Sequence, residues 1–467
     1  MNKIKMILSL GCIGFLSEGA VLAQAPVTLT VAASKIPGFE VPADFTGLSF
    51  ETQSILPDAN GKYWFSPANQ PLITLFRTLG IKILRVGGNT ADRPGVPIPG
   101  PADIDSLFAF ARAADVKVIY TLRLREGSIT NAAAIARYLA QRYQPQLACF
   151  AIGNEPNFYF KTYSAYRDEW KKYAAAIRAE VPDARFCGPS TGGYPVWARD
   201  FADDFGRSEP IAFIAQHDYP CGNGMLATDI AAGQDKMLSP KLQEEYRGMW
   251  HSFVPAALSN GLPFRLEEAN NYYNGGAKDL SNTFTAALWG LDFLHWWAAH
   301  GASGVNFHTG DKVAAGGANR SCWYATFWSS DEGYDIHPIG YAIKAFNLGG
   351  HGRVEPLTIS NLDGIALTAY AVREGETLFV TLINQDHGPG AKAAKVAIVS
   401  PGGAKNAAVI FLNAPGDSLA ARTGVTLGGA SITDRGWDGK WTPLDRAGRC
   451  TVDVPATSAA IVKMSLD

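Results

Sequence analysis

Glu51 in Leu48-Ser-Phe-Glu51, the triplet Asn154-Glu155-Pro156, the triplet His217-Asp218-Tyr219 and the string Glu267-Glu268-Ala269-Asn270 each put polar, reactive side chains at the end of an apolar run. Two carboxylates that face each other across a cleft can divide one difficult displacement between them. One protonates the departing oxygen, while the other attacks the reacting carbon or activates a water. That division of labour is what hydrolysis of a glycosidic bond requires, and a separation of about 5 Å between the carboxyl groups specifies the covalent, configuration-retaining route.

The elements that position these groups are legible as a repeat. Between residues 44 and 350, eight short apolar or β-branched runs occur: Phe45 to Glu51, Ile83 to Asn89, Val116 to Leu124, Leu147 to Glu155, Ala184 to Ser190, Ile211 to Tyr219, Phe264 to Asn270 and Gly304 to Gly310. Helical patterns with apolar residues three and four apart separate them, among them Leu72 to Leu79, Ala132 to Arg142, Tyr163 to Glu180, Leu242 to Leu258 and Thr283 to His300. Eight strand–helix repeats predict a (β/α)8 TIM barrel. An open doubly wound sheet is the competitor, but no GxGxxG or P-loop follows an early strand. In such a barrel the reacting groups stand at the C-terminal strand ends, where the four strings above lie. On the seventh run, simple alternation puts Arg265 and Glu267 on one face, where they can pair, and Phe264, Leu266 and Glu268 on the other. Parity alone does not say which face is the lumen.

After about Gly350 the pattern becomes short alternating segments broken by Gly, Pro, Asn and Asp, which predicts an antiparallel β-sandwich. The expected organisation is a leader over 1–23, an N-terminal strand segment over 24–43 that joins the sandwich, the barrel over 44–350 and the sandwich over 351–467. The leader is read from Lys3 and Lys5, the apolar stretch Met6 to Leu16 and the small residues up to Ala23; cleavage after Ala23 avoids placing Pro26 beside the cut. The mature chain is then expected in the periplasm or outside the cell, with no membrane attachment once the leader is removed. Lys+Arg number 41 against 43 Asp+Glu, so no basic excess points to nucleic acid. Five cysteines remain after the leader, without a CxxC pair, so no metal site and no cofactor are expected. Cys149 and Cys187 read as buried, whereas Cys221 and Cys322, in Gly-rich loops, could meet as a disulfide.

Two strings carry a resemblance. Ala151-Ile-Gly-Asn-Glu-Pro-Asn157, with Arg265-Leu-Glu-Glu-Ala-Asn-Asn-Tyr-Tyr-Asn-Gly-Gly276 beginning 110 residues beyond Glu155, resembles glycoside hydrolase family 79, the β-glucuronidases and heparanases. The Asn-Glu-Pro element is shared by the wider group of retaining barrel glycosidases. The second string is narrower, because Glu268 is followed five residues later by Tyr273 and then by a Gly-rich turn. Ser281-Asn-Thr-Phe284 and Leu291-Asp292 also look family-like. The resemblance implies Glu155 as acid/base and Glu268 as nucleophile, and it leaves Glu267 as a supporting or outward residue. It further implies Glu51 and Tyr219 as substrate contacts, Arg85 as the group that orients the nucleophile, and Tyr324 as a further contact after strand eight. Asn154 could donate its amide to a sugar hydroxyl. Tyr273, with the backbone of Asn274 and Gly275, would receive a glucuronate carboxylate without an arginine; Asn274 stands where the family has a glycine and narrows that pocket. His217 is set aside as a core histidine.

The expectation is therefore an exported retaining exo-β-glucuronidase acting on a β-glucuronide-containing saccharide. The alternatives are another retaining barrel glycosidase (a β-glucosidase, β-xylosidase, arabinofuranosidase or heparanase-like endo-enzyme) and a carbohydrate-binding protein that has lost turnover. Endo-cleavage of heparan sulfate would be helped by basic clusters, and the largest here, Lys171-Lys172 and Arg123 with Arg125, are small.

Overall fold

The computed structural model describes residues 26–32, 38–312, 321–401, 403–444 and 450–466; the expected leader, 1–23, lies outside them. Eight parallel strands close into a barrel in sequence order: Thr46–Glu51, Ile83–Gly87, Lys117–Leu122, Leu147–Ile152, Phe186–Gly192, Ile211–Asp218, Phe264–Ala269 and Val305–His308. Strand eight pairs back onto strand one, so the sheet has no edge. The helices Pro101–Ala114, Val196–Phe205, Ile230–Leu238 and Pro338–Gly349 complete the ring begun by those read from periodicity. No helix among the described residues is long and apolar enough to cross a membrane.

Alternation along the strands sorts side chains into two layers. Leu48, Leu84, Val118, Phe150, Phe186, Ile214, Phe264 and Val305 point outward and pack under the helices. Ile83, Ile119, Cys149, Ala151, Cys187 and Ala215 fill the lumen. Arg265 plugs the lower end of the lumen, donating to Asn306 Oδ1 at 2.7 Å and to the carbonyls of Asp44, Phe45 and Ser303. A Cβ at Gly304 would lie 2.0 Å from its guanidinium, so only glycine fits opposite it. Arg265 thus bonds downward to backbone oxygens and does not pair with Glu267, contrary to the expectation from alternation.

The reason lies in strand seven. Opposite strand six, Leu266 pairs with Gln216 and Glu268 with His217; opposite strand eight, Leu266 pairs with Val305 and Ala269 with Phe307. One extra residue is inserted on both sides, a β-bulge at Glu267. Phe264 and Leu266 point outward, Glu267 and Glu268 both turn into the lumen, and Ala269 points outward again. A strict two-residue period cannot produce two successive inward side chains; the bulge does.

The C-terminal part is a sandwich of two sheets. One runs Leu357–Ser360, Val27–Val31, Ala394–Val399, Cys450–Val454, with the N-terminal strand antiparallel to its first neighbour and parallel to the second. The larger runs Glu40–Val41, Gly352–Glu355, Leu367–Glu374, Thr377–Asn384, Ser458–Leu466, Ala404–Asn413, Thr426–Leu427. Their apolar faces meet around Leu29, Val380, Val396, Val454 and Val462.

The helix Phe284–Ala299 joins barrel and sandwich, which explains why it is buried almost all round. The sandwich carbonyls of Ala421 and Leu419 accept its first N–H groups, from Phe284 and Thr285. Midway, buried Asp292 accepts from Thr368 Oγ1 and Tyr370 OH, both at 2.8 Å, and from Gln243 Nε2 at 3.1 Å. The described cysteines are all free: Cys221 belongs to the main barrel core and Cys322 to a separate small cluster with Tyr324 and Ala325, so the disulfide considered between them is not formed. Replacing Asp292 by Ala should cost about 2–4 kcal/mol, because it removes the shared buried acceptor of two part-buried hydroxyls and an amide. Urea unfolding of Asp292→Ala beside the wild type measures it, and a loss below about 0.5 kcal/mol would remove Asp292 from the docking of the two parts.

Candidate active site

The C-terminal strand ends surround a cavity of about 830 Å³ lined by Glu51, Glu155, Tyr219, Glu268, Tyr273, Asn274, Gly275, His308 and Tyr324 among others. One carboxylate oxygen each from Glu155 and Glu268 and one nitrogen of His217 lie within 4.8 Å of one another. The same three atoms could offer ligands to a cation, but the Arg85 guanidinium already occupies a Glu268 oxygen.

Glu268 is held from several sides. Arg85 Nη1 donates to its Oε2 at 2.5 Å, Tyr219 OH donates to its Oε1 at 2.9 Å, and His308 Nδ1 stands 3.6 Å from Oε2. Burial alone would raise the carboxyl, but His308, His217, Arg85 and the Tyr219 hydroxyl outweigh it and hold Glu268 far below the usual carboxylate range. It is an anion whose free lone pairs face the cavity.

Arg85 has no exposed surface. Its second guanidinium nitrogen donates to Asn154 Oδ1 at 2.7 Å and lies 3.8 Å from Glu267 Oε1, and Nη1 also reaches Ser49 Oγ at 3.1 Å. Asn154 therefore supports Arg85 with its side-chain oxygen and is itself 3% exposed. A Cβ at Gly87 would lie 2.4 Å from Arg85 Cζ, and one at Gly88 2.5 Å from the Glu51 carboxyl. The Gly-Gly pair after strand two thus lets an arginine and a glutamate sit side by side. Glu51 Oε2 accepts from the N–H and hydroxyl of Thr90, each at 2.7 Å.

Glu155 takes the left-handed conformation, φ 47° and ψ 53°, unusual for a non-glycine and more so before proline. Its N–H is tied to the Ser190 carbonyl at 2.8 Å, and the neighbouring Asn154 N–H to Asp92 Oδ2 at 2.7 Å. Those bonds over-determine the turn and aim the carboxyl inward. A Cβ at Gly192 would approach Glu155 Oε1 to 2.3 Å, so strand five ends in glycine where the carboxyl passes.

His217 belongs to the site, contrary to its being set aside from the sequence. Nδ1 is 3.1 Å from Glu155 Oε1 and Nε2 is 3.5 Å from Glu267 Oε1. Burial opposes its charge, but Glu268, Glu155 and Glu267 together raise it to about 9 against the opposing Arg85. It is an imidazolium at neutral pH. Glu267, fully buried with Cys187 Sγ 3.5 Å from Oε2, is held as an anion by Arg85 and His217 despite its burial. It is neither outward nor idle. His308 was also missed, although it ends strand eight and bridges Ser49, Glu51 and Glu268.

The remaining expected contacts gather on one side. Tyr273 is 43% exposed with its ring near-perpendicular to that of Tyr219 at 6.3 Å between centroids, and Tyr324 lies 6.4 Å from Tyr219 and 5.8 Å from His308. Asn274, Gly275 and Gly276 all have positive φ, at 63°, 86° and 86°. Asn274 accommodates this, and its amide is turned aside to Asn223 Oδ1 at 3.1 Å, while the Gly275 carbonyl accepts from Trp323 and Tyr324 N–H.

The charge on His217 is directly measurable. Its imidazole should titrate near pH 9 by nitrogen-15 NMR, and Glu267→Gln should move the midpoint down by about one unit or more. The stability this charge contributes is complete below about pH 6.5 and lost as the pH rises through 9, since the folded value lies above the unfolded one. A midpoint that Glu267→Gln leaves in place would show that Glu267 does not hold the proton.

Comparison with known proteins bears on both parts of the chain. Residues 369–461 match the family model described as the glycosyl hydrolase family 79 C-terminal beta domain. A β-glucuronidase of Aspergillus niger is 26% identical over 299 aligned residues, covering 52% of this chain and 54% of that protein. A β-glucuronidase of Neurospora crassa is 24% identical over 193 residues, covering 35% and 34%. The match thus spans about half of the first relative's length and a third of the second's. Among solved structures, a 4-O-α-L-rhamnosyl-β-D-glucuronidase from Fusarium oxysporum superposes with a TM-score of 0.73 at 18% identity, over 93% of this chain and 99% of that one. A family 51 α-L-arabinofuranosidase from Bifidobacterium longum gives 0.65 at 14%, over 94% and 99%. These two likenesses show a shared fold. Beside them stand the family 79 match of residues 369–461 within the C-terminal sandwich and the sequence similarity to β-glucuronidases.

Proposed function

We propose that the chain is an exported retaining exo-β-glucuronidase, with Glu268 as nucleophile and Glu155 as acid/base. The observation that carries this reading is the approach of their carboxylate oxygens to within 4.8 Å at the barrel mouth, in keeping with the carboxyl separation of about 5–5.5 Å in retaining enzymes. The asymmetry of their surroundings supports the assignment of roles. Glu268 is kept ionised by Arg85 and Tyr219 and can attack the anomeric carbon. Glu155 shares a hydrogen bond with His217, and the pair, rather than Glu155 alone, is the unit that gives a proton to the departing oxygen and takes one from the incoming water.

The named relatives and the turn after strand seven support glucuronate as the sugar. Among the described residues no Lys or Arg lines the cavity, and there a carboxylate at C5 would rest on the Tyr273 hydroxyl and the polar backbone of Asn274 and Gly275. Glu51 and Tyr324 would receive ring hydroxyls. The leader read at 1–23 supports export, and the carbohydrate-binding alternative finds no support in a site with both carboxylates in place.

An activated aryl β-glucuronide should be hydrolysed far faster than the corresponding β-glucoside, with β-glucuronate as the first product by NMR. Glu268→Gly with azide should give the α-glucuronyl azide, and Glu155→Ala with azide the β-glucuronyl azide. An α first product would refute retention, and an inverted azide product from a Glu267 variant instead would move the nucleophile by one residue. Tyr273→Phe should lower kcat/KM for the glucuronide by about 10 to 100-fold, the effect of one charge-assisted hydrogen bond, while leaving a β-glucoside side activity much less affected. Equal losses on both substrates would assign Tyr273 a structural role.

A further inference from the structure

Behind the turn that carries Glu155 lies another carboxyl group, Asp92, which is 5% exposed and stands outside the cavity lining. Its Oδ1 accepts from the N–H groups of Leu124, at 2.7 Å, and Arg125, at 3.0 Å, just past strand three. Its Oδ2 accepts from the Asn154 N–H and from Tyr159 OH, both at 2.7 Å. One side chain thus ties the loop after strand two to the ends of strands three and four and to Tyr159, which follows the short 3-10 helix Pro156–Phe158. Glu155 lies between the last two anchors. Strand four has already ended at Ile152, so these bonds set no barrel register; what they fix is the turn.

The segment that carries Asp92 is itself clamped. Arg123 Nε donates to the Ala91 carbonyl at 2.7 Å, and its Nη2 donates to the carbonyls of Thr90, at 3.4 Å, and Arg93, at 3.2 Å. Thr90 in turn donates twice to Glu51. The stretch from Thr90 to Asp92 therefore reaches a cavity carboxyl through its first residue and the Glu155 turn through its last. That turn needs support, because a left-handed glutamate before a proline is unfavourable by itself. Ser190 fixes the Glu155 N–H, and Asp92 fixes the chain on either side of it.

We infer that Asp92 is a positioning residue for the acid/base: by accepting from Asn154 N–H and Tyr159 OH at once, it sets where the Glu155 carboxyl stands relative to the departing oxygen. The inference rests on the glycosidase reading above, from which the role of Glu155 is taken. A misplaced proton donor has a kinetic signature. It slows departure of a poor leaving group, which needs the proton, and spares a good one, which does not, whereas damage to the fold or to the nucleophile slows both alike.

The test is the ratio of kcat/KM for phenyl β-glucuronide, with a poor leaving group, to that for dinitrophenyl β-glucuronide, with a good one, measured on the full chain. Asp92→Asn keeps the side chain's shape but turns a donor toward two of the four donors in either orientation of its amide, and should lower this ratio by about tenfold. Azide should then speed the variant on the dinitrophenyl substrate and give the β-glucuronyl azide, because the incoming water has lost its aligned base. Tyr159→Phe removes a single donor and should move the ratio the same way by about 2 to 5-fold; it carries the test if Asp92→Asn does not fold. A fall of both substrates in step, or a ratio unchanged in both variants, would overturn the inference. A wild type inert on both glucuronides would instead sink the glucuronidase reading, and the ratio is then read on the phenyl and dinitrophenyl glycosides of whichever sugar the wild type does cleave. A wild type that cleaves no aryl glycoside overturns the role of Glu155 and this inference together.

Discussion

One guanidinium without exposed surface organises the catalytic end of this barrel. Arg85 contacts Glu268 at 2.5 Å and Asn154 at 2.7 Å, and lies 3.8 Å from Glu267. A buried charge is tolerated only when it is paired and hydrogen-bonded, so Arg85 and the two glutamates stand or fall together. Two carboxylates against one arginine leave the cluster one positive charge short. His217 makes it up as an imidazolium reaching Glu155 on one side and Glu267 on the other. The second cation is what lets a third carboxylate, Glu155, approach the same centre.

This charge arrangement depends on backbone irregularity at two strand ends. The bulge at Glu267 turns two successive side chains inward, which regular alternation forbids. The left-handed Glu155, held by Ser190 and by the Asp92 network behind Asn154, brings the opposing carboxyl across. Both devices cost conformational energy, and both stand at the places where chemistry is proposed. Glycines at 87, 88 and 192 lie where a Cβ would collide with Arg85, Glu51 or Glu155.

Much of this was legible from sequence because parallel barrel strands are buried on both faces and read as continuous apolar runs, so a polar residue that ends one is conspicuous. Glu51, Glu155, Tyr219 and the Glu267-Glu268 pair were singled out in that way, the resemblance choosing Glu268 within the pair, and His308 satisfies the same criterion. What escaped was the consequence of an inserted residue. A bulge leaves no composition signal in Arg265-Leu-Glu-Glu-Ala, so alternation paired Arg265 with Glu267, whereas Arg265 closes the barrel floor on backbone carbonyls. His217 stood in one of these strings but was set aside because a strand histidine also reads as core, and its partners come from strands four and seven, far away in sequence. Asp292 stood out in sequence for its surroundings, and the structure gives it a docking role that only the pairing of helix and sandwich reveals.

The central claim is that the bulge delivers Glu268, and not its fully buried neighbour Glu267, to the reacting carbon. The most direct measurement is to trap the intermediate with 2-deoxy-2-fluoro-β-glucuronyl fluoride, whose fluorine slows release of the glycosyl group, and to locate the label by peptide mass mapping. The account predicts a mass increase of one 2-fluoroglucuronyl unit on Glu268. A label on Glu267 or Glu155, or turnover of the reagent with no covalent adduct, would contradict it.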